Sequence, residues 1–515
     1  PPAPATPAPP APAATPEPPK PTKVATRAEL DVTPSRPLLG LALATPNSGS
    51  LPGRFQPSFG VPPRSVSDWK FDFHGYLNVP LRFGLNERED PLSTQYKTVF
   101  HGKPFVADDY ERFEHTGTIP EPWIQLGFSY GNSAVVATII IAARSASTGS
   151  GYFDPPTQLG INDAFVTFKP NFKAFHLEAD VGAFANRYGS MGEYDTGRYD
   201  MLVIGQVAGV GETIRAQVPL NKELAILAEQ GIMGQWDRPP LGVPPAGWND
   251  FADSNVGTSF AHHLHAGLGW QKHGQLGVHY INAWTHDDRN APAQPDGAIN
   301  VIGADIRGQA PPFGRFYLGV GHTIAERARG VSGVIRVMNT FGGPGLMREY
   351  FGPRSKGTGT LTALGAQYDL SLGEVLRGES PFSGYGPDIF ASVFGMFAHV
   401  TSEDETEVNG KPLYDGVDKL KYGLELGYSA LSWFGVSGRY DRVISDLSDA
   451  SKTMAILSPR IFFRTDYNSR DQVTLQYSYW MNGSGVVART GYNNEPRPEL
   501  EPDAHTFSLT ATMWW

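Results

Sequence analysis

The chain contains no cysteine. That excludes a disulfide scaffold, a thiolate metal site and a cysteine nucleophile. Long hydrophobic runs are also missing. The longest near-apolar stretch is Ala134–Ala143, well short of the roughly 18 residues that a membrane-spanning helix requires. A helical membrane protein is therefore excluded, whereas a membrane β-barrel, which shows no such run, is not. Charge is sparse: 18% of residues are charged, and 42 basic against 52 acidic side chains leave a net charge of -10. An acidic balance argues against a nucleic-acid partner. There is no initiator Met. The numbering opens on Pro1, so a mature chain whose signal peptide was removed or never included is expected. Position 1 is not Cys, and a lipid-anchored N-terminus is not expected.

What is present divides the chain in two. Eighteen of the 44 prolines fall in Pro1–Pro63. Proline has a fixed φ and no amide donor, so this segment can neither join a sheet nor continue a helix. Residues 1–68 read as a Pro/Ala-rich periplasmic tether, largely disordered and polyproline-like where it is densest. It is either a passive spacer or a strut that contacts peptidoglycan or a periplasmic partner through residues 1–60.

From Trp69 the pattern becomes one of period 2, with segments of about ten residues separated by Gly, Pro, Asn and Asp clusters. In the first segment Phe71, Phe73, Leu77, Val79, Leu81, Phe83 and Leu85 share one face. Asp72, His74, Tyr76, Asn78 and Arg82 share the other. Eighteen strands are predicted, near 69–85, 123–131, 134–146, 161–169, 175–187, 209–219, 224–233, 258–271, 274–285, 298–309, 314–323, 358–370, 388–400, 418–431, 434–444, 453–465, 471–481 and 504–515. Short turns follow the second, fourth, sixth and eighth, and most intervening connections are long. Connection 371–387 breaks the alternation. Short turns on one side and long loops on the other predict an all-β fold. It is a transmembrane antiparallel up-and-down β-barrel of 18 strands, with 16 the rival count, in the outer membrane of a Gram-negative bacterium. An even count places both termini on the periplasmic side. The last segment, ending Met513-Trp514-Trp515, is an amphipathic strand closing on an aromatic. Tyr130, Trp270, Trp284 and Trp433 suit interfacial girdles.

A barrel of this size leaves a water-filled lumen unless something narrows it. The predicted activity is passive diffusion of small hydrophilic solutes, and an enzyme is not expected. Connection 188–208 is the candidate to fold inward, with Glu193, Asp195, Arg198 and Asp200 as constriction charges beside Tyr188, Tyr194 and Tyr199. An ordinary surface loop is the other reading. Parity places His74, Arg82, Arg215, Arg439, Asp441 and Arg460 on the lumen wall. Gln125, Glu178, Asp180, Gln217, Asp305, Arg307, Lys421, Glu425 and Gln472 join them. Mixed charge together with Tyr76, Tyr317, Trp480 and Trp514 suits neutral sugars or oligosaccharides, which offer an apolar ring face to an aromatic. A general or carboxylate- and anion-preferring pore is the alternative. A barrel anchor that serves the Pro-rich arm is a further one.

Two remaining clusters invite a cation. His263, His265 and His279 point inward by parity. They could hold a transition metal or make the pore charge pH-dependent, although solvated lumen histidines are the simpler reading. Ser402–Glu407 is acidic but lacks the spacing of a Ca²⁺ loop, so lipopolysaccharide-bridging cations suit it better. No resident cofactor is expected. The run Val135–Ile141 is apolar on both faces and is expected to mark a subunit contact.

Asp72-Phe73-His74-Gly75-Tyr76, the ending Thr506-Phe507 to Met513-Trp514-Trp515, and Tyr199-Asp200 through Gln206, Gly209, Gly211 and Glu212 together resemble maltoporin and its sugar-specific outer-membrane porin relatives. The resemblance implies an 18-stranded homotrimer, Tyr76 and Trp514 as members of an aromatic track, and Asp200 as a constriction carboxylate. The chain departs from that pattern at Asn78, where the family has Arg, and at Leu202, where it has Tyr. It also lacks the Cys pair of the first loop.

Overall fold

The structure is a computed structural model. It describes residues 69–85, 123–132, 134–144, 158–170, 172, 174–195, 199–221, 223–235, 259–270, 274–285, 297–309, 314–326, 335–336, 358–377, 387–402, 407–408, 411–412, 416–431, 433–464, 472–486 and 502–514. Residues 1–68, predicted to be a tether, lie outside them.

Eighteen strands form the wall. They are β1 (Lys70–Leu85), β2 (Trp123–Gly131), β3 (Val135–Arg144), β4 (Gln158–Phe168), β5 (His176–Asp195) and β6 (Tyr199–Pro219). Next come β7 (Leu224–Gln235), β8 (Ser259–Trp270), β9 (Gly274–Thr285), β10 (Ala298–Gln309), β11 (Arg315–Glu326) and β12 (Thr358–Ser371). The last are β13 (Asp388–Ser402), β14 (Val417–Leu431), β15 (Phe434–Ile444), β16 (Thr453–Arg464), β17 (Gln472–Asn482) and β18 (Asp503–Trp514). Each pairs antiparallel with the next, and β18 pairs with β1 from Leu85↔His505 to Tyr76↔Trp514. The sheet has no free edge, so every wall strand has backbone partners on both sides, the condition for crossing a bilayer. Among the described residues no helix is long and apolar enough to cross a membrane.

The residue distribution is inside-out relative to a water-soluble barrel. On β14 and β15 the outward Leu424, Leu426 and Val436 are exposed, while the inward Lys421, Arg439 and Asp441 are buried. The same alternation runs around the wall, with outward Ile226, Val278, Ile302, Val320, Leu364 and Val473. An apolar exterior and a polar interior require lipid outside. The fold is a transmembrane antiparallel up-and-down β-barrel.

The short-turn end is set by local chemistry. Asn132 accepts the amides of Ala134 (2.8 Å) and Val135 (3.0 Å) on its Oδ1. Asn221 does the same for Glu223 and Leu224, both at 2.8 Å. Such side-chain turns reverse the chain in very few residues. Aromatic pairs gather at this end, including Trp69 stacked on Tyr130 with centroids 5.1 Å apart and Phe172 on Phe175 at 4.6 Å. The expected exception after β12 contains a short helix, α1 (Leu372–Arg377). Asp388 holds it by accepting the Gly373 amide at 2.7 Å and the Ser371 hydroxyl at 2.7 Å.

One expectation changes. Residues 188–195 and 199–208 are not an irregular loop. β5 and β6 continue past the wall as a two-stranded ribbon, with Tyr188↔Gly205, Ser190↔Leu202 and Glu193↔Asp200 as Cα partners. Alternation in this stretch is masked by register shifts between Tyr188 and Ser190 and again up to Asp195, where bulges break the period of two. The run Val135–Ile141 is apolar on both faces because Val136 and Ile140 are buried on the inner side while Ile139 faces out. Thr138 joins the inner side, with its Oγ1 3.0 Å from that of Ser129.

Candidate pore lumen

The ribbon does not stand away from the barrel. Beyond their own hairpin, β5 and β6 touch β10, β11 and β12, strands with which they are not paired in the wall. A two-residue strand, Ile335–Arg336, adds to the ribbon edge opposite Val207 and Gln206. Ile204 and Val207 are completely buried there, in one apolar cluster with Ile281, Ile299, Val301 and Leu361 of the inner wall. Ile204 rests on Gly303 of β10, where a Cβ would lie 2.6 Å from its Cγ1.

The ribbon root is tied by a polar network. The Tyr188 hydroxyl donates to Glu229 Oε1 at 2.9 Å, and Arg215 Nε donates to Glu229 Oε2 at 2.9 Å. Arg215 also pairs with Asp180, reaches Glu178 at 3.3 Å and donates to Asn186 Oδ1 at 3.1 Å. One guanidinium thus serves three carboxylates and the ribbon, which its planar five-donor fork permits and an ammonium does not. Asp180 further accepts the Thr167 hydroxyl at 2.5 Å. In the adjoining short turn, burial pushes the Lys169 ammonium below its ordinary range, opposed by the pull of Glu178 and Asp180.

Three histidines adjoin this network. The Tyr188 ring lies 5.6 Å from that of His263 and 5.4 Å from that of His279. His265 stacks on His279 with centroids 4.3 Å apart, and His279 Nε2 bonds Asp305. Parity brings the three together as the sequence implied. Stacked imidazole faces do not converge on a common ion, and among the described residues no group of His, Asp and Glu has metal-holding geometry.

A second charged group lines β14–β16. Arg439 is bidentate to Asp441 and stacks on Phe394 at 4.5 Å, and Arg460 pairs with Glu425 while donating to Ser437 at 3.2 Å. Phe394 fits because the residue beneath it is Gly423, where a Cβ would fall 2.2 Å from its Cζ. Lys419 and Lys421 are fully buried on the same inner face. Four cations therefore share three neighbouring strands with two carboxylates.

Of the four aromatic candidates, two are register partners. Tyr76 and Trp514 are Cα partners at the closing seam. Trp480, near the long-loop end of β17, pairs with Ala504, ten residues along β18 from Trp514 and so about 33 Å away along the strand. It is completely buried and donates its indole N–H to Thr506 at 3.1 Å. Tyr317 sits on β11, opposite Arg307, packed against the apolar cluster. His74 and Arg82 occupy β1 opposite Gly127 and Ser508. Asp195 pairs with Tyr199 at the ribbon tip, and Arg198 lies outside the described residues. Of Ser402–Glu407, residues 403–406 also lie outside them. Sequence reasoning missed Tyr188 as a ribbon anchor, although its two-residue spacing from Asn186 was visible.

No family model matches the chain, and no curated protein matches it. Solved structures are similar over most of its length. OmpT, an outer membrane protein of Vibrio cholerae, shares 10% identity over 87% of this chain and 98% of that chain, with TM-score 0.38. OccAB1 of Acinetobacter baumannii shares 8% over 87% and 97%, with TM-score 0.42. The outer membrane protein opdK from Pseudomonas aeruginosa shares 9% over 88% and 100%, with TM-score 0.38. At these identities and TM-scores the similarities carry no argument about function, and the barrel stands on its own closed register.

Proposed function

We propose that the chain is an outer-membrane porin through which small hydrophilic solutes diffuse passively, narrowed by the inward ribbon of residues 186–195 and 199–207. One observation carries this reading: a closed 18-strand wall presents charged and polar side chains to its interior and apolar ones to its exterior. Barrels of this size hold water rather than a packed core unless chain folds inside, and here a ribbon does. Sugars or oligosaccharides are the first solute class, supported by the mixed inner charge and by the register that makes Tyr76 and Trp514 Cα partners at the seam.

A second reading is favoured by Lys419, Lys421, Arg439 and Arg460 lying on adjacent strands of the inner face. Such a group would draw in carboxylates or phosphate. Planar-bilayer conductance of the full chain decides between them. Current block by oligosaccharides supports the first. Block by dicarboxylates or phosphate, with oligosaccharides inert, supports the second. A folded barrel that carries no ion current refutes both and leaves the anchor role of the Pro-rich arm.

A further inference from the structure

The wall closes where β18 meets β1, and the inner faces on either side of that seam are enclosed. On one side Thr474, Gln476, Ser508 and Thr510 of β17 and β18 are buried, and on the other Val136 and Thr138 of β3. Among the described side chains on the inner faces of β17, β18, β2 and β3, none is charged. Gln476 Oε1 and Thr510 Oγ1 make no hydrogen bond, although their residues are only 1% and 3% exposed. A buried polar atom without a partner is costly, so this face calls for one.

Position narrows what can cover it. The ribbon docks on β10–β12, on the other side of the ring from β2. Side chains of a wall this wide do not close its interior by themselves. Thr474 and Thr510 are register partners, two residues from the start of β17 at the short-turn end. A long-loop connection would have to descend from Asn482, eight residues up β17 and about 26 Å away. Residues 1–68 join the wall at the short-turn end itself, where Lys70 pairs with Gly131.

Composition divides those residues. Residues 17–36 carry seven charges, whereas residues 37–63 carry one, Arg54. A near-neutral segment can enter an uncharged face with almost no charge to desolvate. It brings Leu38, Leu39, Leu41 and Leu43 to the apolar part of that face, Val136 and Ile140. Its backbone amides and carbonyls can complete Gln476 and Thr510. At about 3.1 Å per residue, some ten residues of extended chain span the wall. We propose that residues 37–63 turn back into the barrel and seat on the inner face of β17, β18, β2 and β3. They form a strap that narrows the lumen on the side away from the docked ribbon without sealing it. The strap rests on the porin reading only for its effect on conduction.

The chain has no cysteine, so a single one can report on the face. Ser508→Cys is reacted with a charged methanethiosulfonate in detergent micelles, in the full chain and in a chain lacking residues 1–60. No described strand pair involves residues 1–60, so the shortened wall keeps all of them. The full chain is expected to react about tenfold more slowly, because reagent enters only while the strap is out. Leu41→Asp/Leu43→Asp in the full-length Ser508→Cys chain sets charge against the face and is expected to restore most of the fast rate. In planar bilayers the shortened chain is expected to conduct roughly twice as much as the full chain. Equally slow reaction in the two chains means that another part of the chain covers the face, and it overturns the strap. Equally fast reaction means an open, wet face and overturns it too. Fast reaction on deletion beside a double variant that stays slow overturns the assignment to residues 37–63. Slow reaction relieved by deletion, in a barrel that never conducts, upholds the strap and refutes the porin reading.

Discussion

Ile204 of the ribbon sits directly on Gly303 of β10. A Cβ at Gly303 would lie 2.6 Å from Ile204 Cγ1, 2.7 Å from its Cδ1 and 2.8 Å from the Val320 carbonyl oxygen. The Val320 oxygen belongs to a paired backbone, so the mobile partner is the ribbon. Gly303→Val is therefore expected to push the ribbon off the wall at a cost of about 1–3 kcal/mol and to raise single-channel conductance. Gly438→Ala, where a Cβ meets nothing within 4 Å, is the matched control and is expected to leave conductance unchanged.

Arg215 is the charge on which the inner wall near the ribbon depends. Its removal in Arg215→Leu leaves Asp180 and Glu229 buried and Glu178 partly so, without their common cation. Breaking a buried ion network from one side costs about 3–5 kcal/mol, and urea unfolding in detergent micelles should show a loss of that size. Arg215→Lys is expected to recover only part of it, because an ammonium cannot bridge three carboxylates and Asn186 at once. A loss under about 1 kcal/mol for Arg215→Leu would mean that the network is solvated and not structural.

The wall was legible in the sequence because a lipid-facing barrel strand writes its two faces as alternate letters. Leu424, Leu426 and Val436 against Lys421, Arg439 and Asp441 is a pattern that survives without any tertiary knowledge. Parity likewise placed Arg215, Asp305, Glu425 and the three histidines on one side. The ribbon was less legible. Its register shifts break the alternation after Tyr188, and Gly303, the docking partner of Ile204, is 99 residues further along the chain. Nothing local distinguishes a glycine under a distant isoleucine from one at an ordinary wall position. Aromatic roles were harder still, since parity places Trp480 inward but says nothing of Thr506 filling its one polar valence.

That difference separates the aromatics experimentally. Trp480 is wholly enclosed and bonded to Thr506, so Trp480→Phe is expected to lower barrel stability by about 1–2 kcal/mol and to leave solute block unaltered. Tyr76 and Trp514 are seam partners, and Tyr76→Ala or Trp514→Ala is expected to weaken oligosaccharide block in bilayers. Equal effects of all three on block would place Trp480 in the solute path and contradict its enclosure.

The connection 445–452 offers a pH-dependent element outside the wall. Asp446 Oδ1 accepts the Ser448 amide at 3.0 Å and hydroxyl at 2.6 Å, and Lys452 Nζ reaches Oδ2 at 3.1 Å. Burial raises the carboxyl, but the Ser448 and Lys452 hydrogen bonds and the Lys452 charge outweigh it and hold Asp446 down to about 2. An ordinary aspartate titrates near about 3.9. A depressed folded-state value means that the carboxylate's stabilisation is fully present above about pH 4 and is lost as pH falls through about 2. Asp446→Asn removes the charge at every pH. The stability difference between wild type and Asp446→Asn should be constant from neutral pH down to about 4 and shrink toward zero near about 2. The Asp446 carboxyl carbon in a titration followed by NMR should report the same midpoint. A midpoint at the ordinary value would mean that the Ser448 and Lys452 bonds form no better in the folded loop than in the free chain.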